Sequence, residues 1–567
     1  MKRFAYIFLS VALMSTSCQN ELNVPAQGVL SPEQIITYKD AEAMVTAAYS
    51  QLGNDHYNYP YSLWPFTNVR ADDAYKGGNG LSDQAGYNEL ENPQIMVTNN
   101  GRIDGIWYRL YVSVRRTNEA IKVLKTFDAS VDPTYNSRLG EMYFLRGYWY
   151  QKIKMLFKNI PYLTDETPID DYSTTSNVEL TDQEGWDFIA ADFKRAIDLL
   201  PVTQTQKGRV NKVAAHAYYA KTKLYQAYKQ NDEHQVTDID KAMLNEVITS
   251  ADVVIQSNYD LEDDFAKNFL FEFENGKEAV FAIQFSTDDG VGTAGRTDKG
   301  YYITAPQGQG CCDFHKPTQN LVNAYKTQNG LPLLTTFNNT DVNFTQDELD
   351  PRLDHTVARV GMPFKYDATK IFANSWSRVP GVYGYYHSLK ENVSQSCNCF
   401  KIDGAFRGNS KNRIEMRYAD VLLFKAEALI ELDKYPEALT IINQIRTRAA
   451  NSTNYLKDAQ GVLRANYNIK PYVAGVDVVL NKENMRRILR MERRLEFAME
   501  SSRFFDLVRW GIAAETMNTY YEKEHIRKPN LYSAATKFTE KRNEYLPIPQ
   551  QQINFSAGLY IQNPNYE

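Results

Sequence analysis

The chain has 567 residues, 63 Lys and Arg against 69 Asp and Glu, and a formal net charge of −6 at pH 7. That balance removes electrostatic support for a nucleic-acid partner, because phosphate binding needs a cationic footprint. The length suffices to bury a large core, as several domains or as one with insertions, and 39 Tyr against 27 Phe suit rings with a dry body and a wet tip.

The chain opens MKRFAYIFLSVALMSTSCQNEL. Lys2 and Arg3 precede an apolar run from Phe4 to Met14, too short to span a membrane, and small residues then lead to Cys18. Residues 1–17 are expected to be a signal peptide. The small residues ending at Cys18 resemble a bacterial lipobox, with Ser15 where many carry Leu, and this implies that Cys18 is lipidated. Residues 18–34 then read as a tether and extended segment, and the mature protein is expected to sit outside the reducing cytoplasm.

Helical periodicity dominates the rest of the chain. Apolar residues recur at three- and four-residue spacing over 40–53, 103–127, 135–157, 182–200, 211–229, 238–256, 414–432, 435–449 and 482–513. Residues 414–450 break at Asp433–Lys434 into two helices, and 208–255 repeats the plan, much as in tetratricopeptide units, whose apolar faces must be buried by stacking. Residues 54–101 and 270–410 differ, being rich in Gly, Pro, Asn and Tyr, with one strand expected at 278–286. The expected fold is mainly α: a tetratricopeptide-like scaffold over 35–269 and 411–567, with a loop-rich, partly β insertion over 270–410 carrying the ligand face. In 545–567 the prolines speak against a helix and for an extended tail.

Several motifs fail on inspection. GVGTAG at 290–295 matches a dinucleotide pattern, but no helix pattern follows to hold a pyrophosphate. The seven His are scattered, and no nucleophile motif or singled-out carboxylate pair points to catalysis. No catalytic residue, metal or cofactor is therefore expected. Setting Cys18 aside leaves Cys311, Cys312, Cys397 and Cys399. An exported protein favours disulfides, and four cysteines allow three connectivities. C-C and C-N-C spacing suits structural zinc poorly.

Three stretches carry a resemblance: LRGYWYQKIKMLFKNIPYLTDETP (145–168), RILRMERRLEFAMESSRFFDLVRWG (487–511) and YLPIPQQQINFSAGLYIQNPNYE (545–567). With the N-terminal signal and their order, they resemble the SusD/RagB family of outer-membrane lipoproteins. The resemblance implies a glycan-capturing protein, lipid-anchored at the cell surface, that serves a SusC-like TonB-dependent transporter. Peptide capture within the same family and a surface-tethered hydrolase are the alternatives. This chain departs from the family's usual residues at Met499, Ser501 and Asn565, where Phe, Gly and Gly are commoner. Within 487–511, Leu495, Met499 and Phe505 are expected to pack inward, and Arg493, Arg494, Glu496, Glu500 and Arg503 to form ion pairs at helical spacing.

A sugar site needs an apolar platform and planar polar groups. SWSRVPGVYGYY (375–386) supplies Trp376, Arg378, Tyr383 and Tyr386, and WPFTNVRADDAYKGG (64–78) supplies Trp64, Arg70, Asp73 and Tyr75. Cys311 and Cys312, if bridged to each other, would form a rigid apolar ring projecting toward a sugar face, with Gly308 and Gly310 allowing the tight backbone. Cross-bridges to Cys397 and Cys399 are the alternative.

Overall fold

The computed structural model describes residues 37–292 and 294–566. The expected signal peptide, Cys18 and the tether lie outside the described residues. Among the described residues the scaffold stacks the helices α1 Tyr38–Ser50, α2 Gly101–Leu124, α3 Tyr135–Phe157, α4 Asp182–Leu199, α5 Lys212–Ala227, α6 Lys241–Ile255, α7 Tyr418–Glu431, α8 Tyr435–Asn451 and α9 Lys482–Phe497, and a further long helix, Ala513–Arg527, follows them. Most begin at a polar cap that the local sequence supplies. Thr37 with Asp40 and Thr181 with Glu184 form reciprocal capping boxes, while Asn100, Asn211 and Asp240 accept from backbone N–H groups of the first turn.

Each helix from α1 to α6 packs on the next, α7 packs on α6, and α8 and α9 pack on α7. The 162 residues between α6 and α7 thus leave the stack and return without breaking it. Small residues permit the close approach: Ala214, Ala215, Ala217 and Ala220 on α5, and Ala426, Ala428 and Ala438 on α7 and α8, are all buried. α3 is the hub. From Gly140 to Phe157 every residue but Lys152 is buried. Its buried charges are satisfied inside: Arg146 is held by Asp192 at 2.7 Å and Asp165 at 2.8 Å, Glu141 by Arg138 at 2.8 Å and Lys154 by Asp182 at 2.8 Å.

The insertion is closed at its base by two antiparallel strands, Ala279–Ile283 and Arg413–Arg417, in which Ile283 faces Arg413 and Ala279 faces Arg417. The strand expected at 278–286 therefore forms over its centre, and residues 414–417, expected to be helical, pair as its partner. GVGTAG lies outside any helix or strand among the described residues.

Two further expectations change. The helix expected over 482–513 is two helices, α9 and Arg503–Arg509, because Met499 and Ser501 both take φ +67°. The second of these is a residue where the family more often has Gly, and the left-handed backbone explains that preference. Asn565, also in place of a commoner Gly, takes φ +60°, which Asn tolerates better than most side chains. The tail is mostly extended but contains a short helix, Gln550–Phe555, capped by Pro549. Proline there precedes the first turn, where its missing N–H costs nothing. The tail is pinned over α3: Leu546 N donates to Leu156 O, and Asn563 Nδ2 donates to Phe157 O at 2.9 Å.

The five charges expected to pair at helical spacing, Arg493, Arg494, Glu496, Glu500 and Arg503, pair across the fold instead. Arg493 binds Asp506, Arg494 binds Asp73 at 2.9 Å, and Arg503 binds Asp72 at 2.9 Å. Glu496 gathers Arg352 at 3.0 Å, Arg417 at 2.8 Å and Arg448. Leu495, Met499 and Phe505 do face inward.

Candidate functional site

The site is assembled by a pairing across 240 residues of sequence. Ala74–Gly77 runs antiparallel to Phe314–Pro317, with Tyr75 opposite Lys316 and Gly77 opposite Phe314. Gly77 takes φ +83°, and a Cβ there would collide with the Asp313 carbonyl. Only glycine lets the two segments meet this closely. The pairing sets the end of the 64–78 segment beside the cysteine loop.

In that loop Cys311 is bonded to Cys312, and Cys397 to Cys399 in the neighbouring segment. The ring does not project as expected. Cys311 is only 7% exposed, and Cys312 is half-buried against the main core. Gly310 takes the left-handed turn at φ +107°. Gly308 serves a different purpose from the one expected: a Cβ there would collide with the Trp376 indole, which lies over the Gly308 backbone. Trp376 is also packed on Phe364 and Phe372, with centroids 5.4 and 5.3 Å away, and keeps part of its surface exposed. Arg378 is tied to the cysteine loop twice. Its N–H donates to Asp313 Oδ2 at 2.8 Å, and its Nη1 donates to the Cys312 carbonyl at 3.3 Å. Asp313 is itself fixed by buried Lys316 at 2.8 Å. Trp376, Arg378 and the edge of Cys312 thus form one small patch.

The same 374–386 segment turns to form the wall of a cavity of about 520 Å³. Tyr75, Tyr383 and Tyr386 line it, so three of the expected ligand residues converge there. Tyr75 and Tyr383 stand behind this wall, each only 1% exposed and with ring centroids 6.5 Å apart, whereas Tyr386 keeps part of its surface exposed. The Tyr75 hydroxyl donates to Glu524 Oε2 at 2.6 Å, and Tyr386 meets Phe344 edge-on.

Three expected residues are elsewhere. Trp64, Arg70 and Asp73 are internal and offer no face to a ligand. Trp64 is 0% exposed, packs on Tyr87 and His315, and donates from Nε1 to the Gly300 carbonyl at 3.2 Å. Arg70 lies 4.1 Å over Phe504 and donates to the Asn543 carbonyl, and burial pulls its guanidinium down to about 10. Asp73 is occupied by Arg494. The RADD segment is therefore a latch for the C-terminal helices. Burial alone would raise the neighbouring Asp72 carboxyl, but Arg494 and Arg503 bring it down to about 2.

The polar side of the cavity was not legible in the sequence. Arg527 and Lys528 reach it from the end of the helix Ala513–Arg527, and Arg359 and Asn374 from the insertion. Arg359 is held by Asp354 and stacks 4.4 Å over Phe344, and Arg527 binds Asp341 and Glu524 at 2.7 Å each. Lys528 Nζ sits 5.7 Å from the Tyr75 ring, and burial lowers its pKa. Aromatic walls beside guanidinium, ammonium and amide groups can hold the C–H faces and hydroxyl rims of a sugar. Among the described residues, no cluster of three or more His, Cys, Asp or Glu is arranged to hold a metal ion.

Comparisons agree with this architecture. Residues 277–566 match the family model described as "SusD family", and residues 30–224 match one described as "Starch-binding associating with outer membrane". SusD-like protein P2 of Formosa agariphila is 24% identical over the whole of both chains. A SusD superfamily protein of Bacteroides vulgatus superposes with a TM-score of 0.68 at 22% identity, covering 93% of this chain and 99% of its own. Surface glycan-binding protein A of Bacteroides thetaiotaomicron, solved in complex with laminarihexaose, superposes with a TM-score of 0.66 at 20% identity, covering 93% of this chain and 100% of its own.

Proposed function

Because this chain belongs to the SusD family, we propose that it captures oligosaccharides at the 374–386 face and delivers them to a SusC-like TonB-dependent transporter. The observation that carries the reading is the cavity itself. Tyr75, Tyr383 and Tyr386 supply its apolar wall and Arg359, Arg527 and Lys528 its polar one, with the Trp376–Arg378 patch around the corner of the same segment. The family is associated with the outer membrane, and among the described residues no helix is long and apolar enough to cross a membrane. Lipidation of Cys18 would supply the anchor, with the protein facing the cell surface.

Binding without cleavage fits the cavity's acid content. Asp341 is the carboxylate on its wall, and it is engaged by Arg527, whereas glycoside hydrolysis ordinarily needs two carboxyl groups across the bond. The glycan complex of the Bacteroides thetaiotaomicron protein makes laminarihexaose the first ligand to try. Isothermal titration of a panel of oligosaccharides should give saturable binding to at least one, with no product on prolonged incubation. Sustained cleavage by the pure protein, or binding of peptides in place of every glycan, would overturn the reading. Non-reducing peptide mapping tests the patch, since a bridge from Cys311 to Cys397 would remove the ring from it.

A further inference from the structure

The scaffold meets the base of the insertion around a second cavity, of about 140 Å³. It shares no lining residue with the sugar cavity. Seven Lys or Arg side chains and five Asp or Glu side chains face it. Most of the cations are paired: Lys152 with Glu415 at 2.8 Å, Lys390 with Glu500 at 2.6 Å, Arg413 with Asp298 at 2.8 Å. Two are not. Lys221 on α5 and Lys411 ahead of the strand Arg413–Arg417 make no side-chain hydrogen bond or ion pair among the described residues. Two further groups on the wall, Arg493 Nη1 on α9 and Ser501 Oγ, are buried without a hydrogen-bond partner.

The surroundings do not cancel these charges. Both lysines are partly buried, and burial pulls the Lys221 ammonium down to about 8 and lowers that of Lys411. Burial likewise raises the Asp420 carboxyl to about 6 and that of Asp298 to about 7, while the other three carboxylates on the wall are already engaged, Glu415 by Lys152 and Arg413, Glu500 by Lys390 and Arg417, and Glu391 by His315. A partly buried cation without a carboxylate partner is unfavourable, and two of them beside an unpartnered guanidinium N–H and hydroxyl suit an anion. The size fits: about 10–15 Å³ serves one water, so this cavity has room for a tetrahedral ion with companion waters.

We infer that the cavity binds a small oxyanion, sulfate or phosphate, with donors drawn from Lys221, Lys411, Arg493 and Ser501. The ion would tie α5 and α9 to the strand that closes the insertion, and so brace the ligand face against the scaffold. This goes beyond glycan capture and does not depend on it.

Thermal unfolding of the ligand-free protein at constant ionic strength tests the site, with sodium gluconate replaced stepwise by sulfate or by phosphate. Wild type should gain about 2–4 °C in unfolding midpoint at saturation. A double variant, Lys221→Met with Lys411→Met, should lose that gain. Its midpoint in gluconate should not fall below that of wild type, because two unpaired, partly buried charges are gone. Whichever of sulfate and phosphate stabilises more identifies the preferred ion. An equal gain in wild type and variant would reveal a general salt effect and overturn the site, as would no gain in wild type. Should the double variant fail to fold, sulfate titrated calorimetrically into wild type and Lys411→Gln decides. A tenfold or greater loss of affinity supports the site, and unchanged affinity overturns it.

Discussion

The latch at the C-terminal helices and the ligand face are built from the same residue types, used in opposite ways. Around α9 the arginines are saturated. Arg417 and Arg352 each bind several carboxylates, and Glu496 collects three guanidinium groups inside the protein. On the ligand face Arg378 is exposed, with Asp83 no closer than 3.8 Å, and Lys528 has no carboxylate within ion-pair distance among the described residues. The aromatics divide likewise: Trp64 and Trp149 are enclosed, while Trp376 keeps a free surface. Arg359 and Arg527 stand between these extremes, lining the cavity while paired with Asp354, Asp341 and Glu524.

The division can be broken most severely at its saturated end. Glu496→Ala leaves three buried arginines short of a partner and is expected to cost about 3–5 kcal/mol in urea unfolding. A loss under about 1 kcal/mol would mean that the network is not what holds the latch. Next comes Asp72. Its carboxyl sits at about 2 in the folded protein against an ordinary 3.8, so its contribution is full above about pH 4 and fades as the pH falls from there toward 2. That contribution amounts to about 2 kcal/mol. Asp72→Asn should be less stable than wild type at pH 7 and should lose less stability across that acid window, as read by denaturant midpoints at stepped pH. Parallel acid profiles would separate Asp72 from the latch's charge.

At the incomplete end the effects move from stability to affinity. Trp376→Ala is expected to weaken glycan binding about tenfold or more, while circular dichroism shows the helices intact. Arg378→Ala should be milder, about two- to fivefold in affinity, with stability within about 0.5 kcal/mol of wild type, as suits an exposed group at the rim. Binding unchanged in both would sharpen the assignment toward the Tyr75–Tyr383–Tyr386 cavity alone.

Much of the scaffold was readable because helices declare themselves locally. Apolar spacing placed α1 to α8 within a few residues and the start of α9, but it ran α9 on to 513 and missed the helix Ala513–Arg527. The strand Arg413–Arg417 was misread as helix because its apolar run continues straight into α7, and a break at a strand-to-helix junction carries no local signal when β pairing is supplied by Ala279–Ile283. The proposed ligand face was only partly readable. Loop composition picked out Tyr75, Tyr383, Tyr386, Trp376 and Arg378. The same reasoning also picked out Trp64, Arg70 and Asp73, whose partners Gly300, Asn543 and Arg494 stand 236, 473 and 421 residues away.

By itself the sequence determined the helical character of the chain, its resemblance to a family, and the two irregular stretches from which most of a ligand face would come. Those depend on periodicity, on motif order and on residues that terminate helices, all local properties. Tertiary structure alone decided which aromatic rings are walls and which are core, and which arginines are spent on carboxylates. It also brought Lys528 to the cavity beside Tyr386 and Lys221 to the cavity that Lys411 lines. Burial and charge pairing depend on what arrives from distant segments, and that is settled only when the chain closes on itself.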